Sequence, residues 1–501
     1  MILVGCATQP AWHKPPEEVA APPRADSRFA AAEQRITDRH GPDASGFALL
    51  ERSDRALQWR LALIDSARHS IDLQYYVWFG DTLGRLMMFR VIQAADRGVK
   101  VRILFDDLNT MLHDMTHVEL RDDLLARIDR HPNIQIRVFN AWQDRSILGR
   151  AFDMLADFGR LNRRMHNKQM IVDNRAAIIG GRNLGDEYFG LNPEFNFHDL
   201  DVLGVGPVAR QASAVFDRYW NSAWVQSIPK AEGTSLALEE SELGRQAMAD
   251  LFSHPSLQPL EVSRHDWSVK LDGLHGELMP GRSQVHTDAP ARDAVRNHMP
   301  EAFRTLMKTA QQEVLITNAY IIPDANFMAD LRELAGRGVK VRILTNSLSS
   351  HDVPAVNSHY QKWRQPILET GAQLHELRAD AALRGEIVDL PPLKAEFAGL
   401  HTKAMVIDRQ RAFVGSMNLD PRSEVLNSEM GVIIDSPALA ERLAQRMERD
   451  LHGDNSWQVV LNKDGELRWR STQGELDRQP ARDFLQRVED QLFKFFPSDY
   501  Y

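Results

Sequence analysis

The sequence predicts an α/β protein made of two fused, pseudo-twofold related domains, each built around a mixed β-sheet. Three observations predict it. The octapeptide RGVKVRIL occurs twice, at residues 97–104 and 337–344, an offset of 240. A longer pattern, His-x-Lys, four residues, Asp, six residues, Gly, also occurs twice, in MHNKQMIVDNRAAIIGGRN (165–183) and LHTKAMVIDRQRAFVGSMN (400–418). Around each octapeptide the context repeats: a β-like run (SIDLQYYVW; EVLITNAYIIP), a helical stretch (LGRLMMFRVIQAADRG; MADLRELAGRG), then the octapeptide as a strand. Each repeat is a β-α-β unit, which implies parallel pairing and a right-handed crossover. At 501 residues with 43% apolar and 26% charged side chains, the chain accommodates two large domains rather than one core.

Residues 1–44 read as an N-terminal tether, because TQPAWHKPPEEVAAPPR carries five prolines and no apolar period. Within it Leu-Val-Gly-Cys, ending at Cys6, resembles the lipobox at which bacterial lipoproteins are cleaved and acylated. Only five residues precede Cys6, so this reading requires a longer N-terminus. It implies an enzyme anchored through Cys6 and facing the periplasm; the alternative is a chance tetrapeptide and a peripheral enzyme on the cytoplasmic side.

The first domain is expected over 45–228, a Ser-, Glu- and Ala-rich connector over 229–262, and the second domain over 263–501. A closing helix is expected from about Ala481, with Phe484, Leu485, Val488 and Leu492 at helical spacing. Asp106 and Asp107 end the strand of the first octapeptide and orient the loop after it, since Asn346 and Ser347 stand in those places in the second half. Residues 145–164 place Ile147, Leu148, Phe152, Leu155 and Phe158 at helical spacing among arginines. That pattern fits a helix packed on the core or one lying in an anionic headgroup layer. No run of about 18 apolar residues exists to span a bilayer.

The residue types of the repeated motif suit a phosphodiester. Strand alternation puts His166 and Lys168, or His401 and Lys403, on one face, about 7 Å apart. The lysines, with Asn183, Asn418 and Ser416 as hydrogen-bond donors, would neutralise phosphate oxygens. One imidazole can attack phosphorus while the other protonates the departing alcohol, and the acid then serves as base for the incoming hydroxyl. Asp199 in FHDLDVLG and Glu429 in NSEMGVII follow their motifs at matching places and would orient the histidines. Asp173 and Asp408 complete the motif and are counted with it, although their place near the far end of the strand leaves a structural role equally open. Metal ligation is disfavoured because the flanking lysines oppose a cation. The net charge of −9 and the absence of an evident basic stripe argue against nucleic acid as partner.

The stretches HNKQMIVD, GGRN, HTKAMVID and GSMN resemble the paired HKD motifs of the phospholipase D superfamily. Together with SIDLQYYVW, AADRGVKVRIL and GGRNLGDEYF they are most similar to bacterial cardiolipin synthases of the branch without N-terminal transmembrane helices. The resemblance implies two fused phospholipase D-like domains with one site at their interface, and no metal or organic cofactor. It implies that His166 is the nucleophile and His401 the acid, then base. The implied reaction passes a phosphatidyl group from one phospholipid, phosphatidylethanolamine among the candidates, to the hydroxyl of phosphatidylglycerol, giving cardiolipin. It further implies contact with a membrane surface, while any helper protein goes unnamed by the residues. A phospholipase D-type hydrolase releasing phosphatidic acid, and a nucleic-acid phosphodiesterase, are the alternatives.

Overall fold

The structure, a computed structural model, describes residues 15–107, 125–142, 158–228, 249, 251–260, 262–263, 266–290 and 297–493. In the first half the strands lie side by side in the order Val225–Ser227, Ile134–Phe139, Lys100–Asp106, Ser70–Tyr75, Gln169–Val172, Ala176–Gly180, Asp201–Val205, Ser45–Leu50. The second half repeats that order: Ser456–Leu461, Gln373–Leu377, Lys340–Asn346, Glu313–Asn318, Lys403–Ile407, Arg411–Gly415, Met430–Asp435, Met279–Thr287. Three parallel strands are flanked on both sides by antiparallel ones, so each sheet is mixed. The two fused α/β domains are related as the repeats predicted.

The repeated octapeptide is a helix stop joined to a strand. Helices Thr82–Asp96 and Ala325–Gly336 are N-capped alike, Asp81 accepting from the Gly84 amide and Asp324 from the Phe327 amide. Each ends at Arg-Gly, where Gly98 (φ 95°) and Gly338 (φ 76°) adopt the left-handed conformation that closes a helix. The strands that follow are buried from their second residue onward, Arg342 only partly, which is why they read as nearly continuous apolar runs.

The halves are fused at two places. Ser45–Leu50 pairs antiparallel with Met279–Thr287, making, among the described residues, one continuous sheet of 18 strands with Leu467–Ser471 and Gly474–Leu476 added beyond Ser456–Leu461. Phe195–His198 pairs in parallel with Phe397–Leu400. Between them lies a shared apolar core in which Phe216 and Trp220 of helix Pro207–Trp220 meet Leu439 and Leu443 of helix Pro437–Asp450, with Leu104, Val406 and Val432.

Three expectations change. Residues 1–44 are not a uniform tether: the amides of Glu18 and Ala20 donate to Asn221 and Asp217, and Ala30–His40 is a helix with Phe29, Ala32 and Ile36 buried. That apolar spacing is helical, and the neighbouring prolines hid it. The second domain begins later than residue 263, because Trp267, Leu274 and Leu278 belong to the core of the first half. Most of the connector, 229–248, lies outside the described residues, as do Cys6 and residues 143–157 of the arginine-rich segment. The C-terminal helix forms over Phe484–Phe493 with the opposite face inward, Gln486 and Asp490 being buried. Among the described residues no helix is long and apolar enough to cross a membrane.

Candidate active site

Both motif histidines stand just before a central strand, at the line where the halves meet. The backbone ahead of each is pinned by the end of the octapeptide strand. Asp106 accepts from the Met165 amide (2.9 Å) and pairs with Arg164 (3.1 Å). In the second half Asn346 accepts from the Leu400 amide and donates to its carbonyl, both at 2.8 Å. The expected loop-orienting role of Asp106 is thus specific: it fixes the residue before the histidine.

Each histidine segment is hydrogen-bonded to the opposite half. The His166 amide donates to the Ser428 carbonyl (2.8 Å), and the His401 amide to the His198 carbonyl (2.9 Å). The carboxylates are therefore crossed. His166 Nδ1 lies 2.8 Å from Glu429 Oε2, and His401 Nδ1 lies 2.7 Å from Asp199 Oδ2. Asp199 and Glu429 thus each lie against the histidine of the other half.

The two clamps differ in a way the sequence shows. Gly181 and Ser416 are equivalent, since their amides donate to Leu200 and Met430. A Cβ on Gly181 would come within 2.2 Å of Asp199 Oδ1, so glycine lets the shorter carboxylate reach across. In the second half the Ser416 and Ser423 hydroxyls both donate to Glu429. Ser416 therefore holds a carboxylate, and the expectation that it binds phosphate is corrected.

The ammonium groups of Lys168 and Lys403 each donate to the carbonyl of the histidine two residues earlier. Lys168 Nζ also lies 5.3 Å from the centre of the Tyr76 ring, and Lys403 Nζ 6.0 Å from that of Tyr320. Burial, then the charges of both lysines, hold the two histidines well below the usual imidazole value. Burial also pushes Lys403 down to about 8 and lowers Lys168 strongly, against the pull of Glu429 and Asp199. Glu429 is pushed up to about 7 by the same burial. Burial thus brings Lys403 and Glu429 from opposite sides toward neutrality.

Asn183 and Asn418 are buried beside the motif strands. The Asn183 side chain accepts from the Val77 amide, whereas Asn418 Oδ1 has no hydrogen-bond partner among the described residues. Asp173 and Asp408 do not join the cluster. Both sit at left-handed turn positions (φ 53° and 49°). Asp173 accepts from the amides of His69 (2.8 Å) and Ser70 (3.1 Å), and Asp408 from those of Gln312 (2.8 Å) and Glu313 (2.9 Å). Each anchors the start of the neighbouring strand, so grouping them with the catalytic residues is corrected.

Sequence reasoning missed the aromatic walls. Tyr76 packs edge-on to His166 (4.9 Å between ring centres) and Tyr188 edge-on to His401 (5.1 Å). It also missed Arg182, which is buried against Asp201 and the Asp199 carbonyl. Tyr76 and Tyr188 lie in stretches whose pattern was noticed, but no spacing rule marks a ring as facing the site.

Two fused α/β halves with a repeated His-x-Lys segment and carboxylates exchanged between them belong to a transferase of the phospholipase D superfamily. A family model described as "Cardiolipin synthase, PLD-like domain" matches residues 61–220 and 303–451. Cardiolipin synthase C of Escherichia coli K12 is 34% identical over 94% of this chain and 99% of its own length. The major cardiolipin synthase ClsA of Bacillus subtilis is 26% identical over 78% of this chain and 66% of its own. The fold is similar to that of a phosphatidylserine synthase from Haemophilus influenzae, with a TM-score of 0.54 at 13% identity, over 84% of this chain and 90% of that one. The chain belongs to the cardiolipin synthase family, and it is a phosphatidyltransferase.

Proposed function

We propose that the protein makes cardiolipin from phosphatidylglycerol and a second phospholipid through a phosphatidyl-histidine intermediate on His166. The observation that carries this reading is the pair of buried, crossed histidine–carboxylate contacts. Lys168 and Lys403, with the amides of Asn183 and Asn418, take the non-bridging oxygens of the donor phosphodiester. A hydrogen bond from His166 Nδ1 to Glu429 leaves the Nε2 lone pair free to attack phosphorus. As that P–N bond forms, the bond from phosphorus to the departing alcohol oxygen breaks, and His401 gives that oxygen its proton. His401 then accepts the proton of a phosphatidylglycerol hydroxyl, whose oxygen displaces His166 from phosphorus. Burial, with the charges of the two lysines, disfavours the charged imidazole; an anionic phosphate between the lysines offsets those charges, so substrate binding promotes protonation of His401.

The test is to incubate the protein with phosphatidylglycerol vesicles, with and without phosphatidylethanolamine, and identify the products by mass. Cardiolipin that disappears with His166→Ala supports the transferase, and its dependence on phosphatidylethanolamine names the donor. Phosphatidic acid alone would make the chain a hydrolase. Enzyme quenched in mildly alkaline denaturant, where the P–N bond survives, should carry the phosphatidyl group on a peptide containing His166; a label on His401 reverses the order of roles. Anchoring through Cys6 on the periplasmic side belongs to the same proposal, and is checked by fatty-acid labelling that Cys6→Ala abolishes.

A further inference from the structure

The C-terminal helix Phe484–Phe493 carries its amphipathic character inside out. Asp490 is fully buried, accepting from the side chains of Asn357 (2.6 Å) and Gln479 (3.0 Å). Gln486, also buried, donates to the Leu348 carbonyl (2.6 Å). Just before the helix, Arg482 donates to the carbonyls of Ser349 and His351 and lies 3.8 Å from the centre of the Phe397 ring. The polar face is therefore locked onto the loop 347–352 and helix Pro354–Tyr360. That lock holds Phe484 (79% exposed), Leu485, Val488 and Leu492 outward.

The loop beneath this helix reaches the site. Both carboxylate oxygens of Asp352 accept from the Tyr320 hydroxyl (2.9 and 2.8 Å), the Tyr320 ring faces Lys403, and the charge of Asp352 acts on Lys403. A further exposed apolar side chain, Val425, stands on the turn Arg422–Leu426, whose Arg422 acts electrostatically on His166. Four of the eight large apolar side chains exposed among the described residues thus sit on this one helix, which packs on the loop that reaches the site. Exposed apolar residues ordinarily scatter; a cluster marks a contact surface.

We infer that the outward face of helix Phe484–Phe493 inserts into the headgroup–acyl boundary of a phospholipid bilayer and seats the catalytic cleft against its substrate. The inference rests on the phospholipid reading of the site. The size of the face favours a bilayer over a second copy of the chain: four side chains offer on the order of 400 Å², about half of what each partner contributes to a stable protein interface.

The test uses the full chain carrying Phe484→Ser, Leu485→Ser and Leu492→Ser, all at exposed positions, with Phe484→Leu as the conservative control. Co-sedimentation with phosphatidylglycerol/phosphatidylethanolamine vesicles should fall about 10-fold or more, and turnover of vesicle lipid should fall with it. Turnover of short-chain phosphatidylglycerol, dissolved below its micelle concentration, should stay within about 2-fold of wild type. Unchanged vesicle binding overturns the inference. Equal loss on the monomeric lipid overturns it as well, since the face would then support the site itself. So does a change from dimer to monomer with vesicle binding retained. A wild-type chain that binds vesicles yet converts no phospholipid would sink the proposed reaction and leave the docking face standing.

Discussion

The two halves share a frame and differ at their carboxylates. In both, an Asp at a left-handed turn anchors a neighbouring strand, the end of the octapeptide strand pins the residue before the histidine, and the lysine folds back to the histidine carbonyl. The carboxylate of the first half, Asp199, is short, sits against a glycine and accepts from the Leu200 amide. That of the second half, Glu429, is longer and is gripped by two serine hydroxyls. The histidine facing Glu429 is His166 and the one facing Asp199 is His401. Duplication thus preserves what positions the catalytic groups and lets the groups that tune them diverge, so a symmetric scaffold supports an asymmetric reaction.

Removing either imidazole gives the largest break. His166→Ala and His401→Ala should each lower turnover by about 10⁴ or more while thermal unfolding stays near wild type, because each acts in both steps. Only His401→Ala should still accumulate enzyme-bound phosphate, and only with a donor whose leaving group needs no proton; burst kinetics with an activated phosphodiester would show it. Loss of the burst in His401→Ala, or its survival in His166→Ala, would erase the division of labour.

Next in size are the lysines. Lys403→Met should lower kcat/KM by about 10² to 10³ through lost charge at the phosphate. Its folded pKa of about 8 lies below the unfolded value, so the buried cation costs stability below pH 8 and less as pH rises toward 10.5. The same variant should therefore melt about 2–4 °C higher at pH 7, with a smaller gain at pH 10. In the wild type, kcat/KM should fall as pH rises through about 8, where Lys403 loses its proton. A rate that stays flat to pH 10 would show that this charge is not used.

The clamps themselves can be exchanged. Gly181→Ser puts an atom against Asp199 and should cost about 10-fold in activity, whereas Ser416→Gly, which only frees one grip on Glu429, should cost about 3-fold. Equal costs would mean that the clamps are interchangeable. The smallest effect on chemistry belongs to Asp173→Ala and Asp408→Ala. Each should lower the melting temperature by a few degrees and leave kcat of the folded enzyme within about 2-fold, as measured at 20 °C.

The duplication was legible because repeated spacing survives in sequence, and so were the parallel strands and the crossover helices. Which carboxylate serves which histidine was not, since the pairing is made by strands 263 and 202 residues apart crossing between halves. The aspartates of the motif lie at the far end of the strand, as their spacing from the histidine implied, and there they hold the start of the neighbouring strand. The C-terminal helix misled because periodicity identifies an apolar face without saying whether the protein's interior lies behind it. Its buried Asp490 depends on partners, Asn357 and Gln479, that periodicity does not register.

The exchange of carboxylates across the midline has a consequence for assembly. Each imidazole takes its carboxylate from the other half, so under the proposed mechanism catalytic competence is a logical conjunction that requires both halves folded and docked. A nascent chain halted after the first motif would present a histidine and a lysine with no carboxylate across from them.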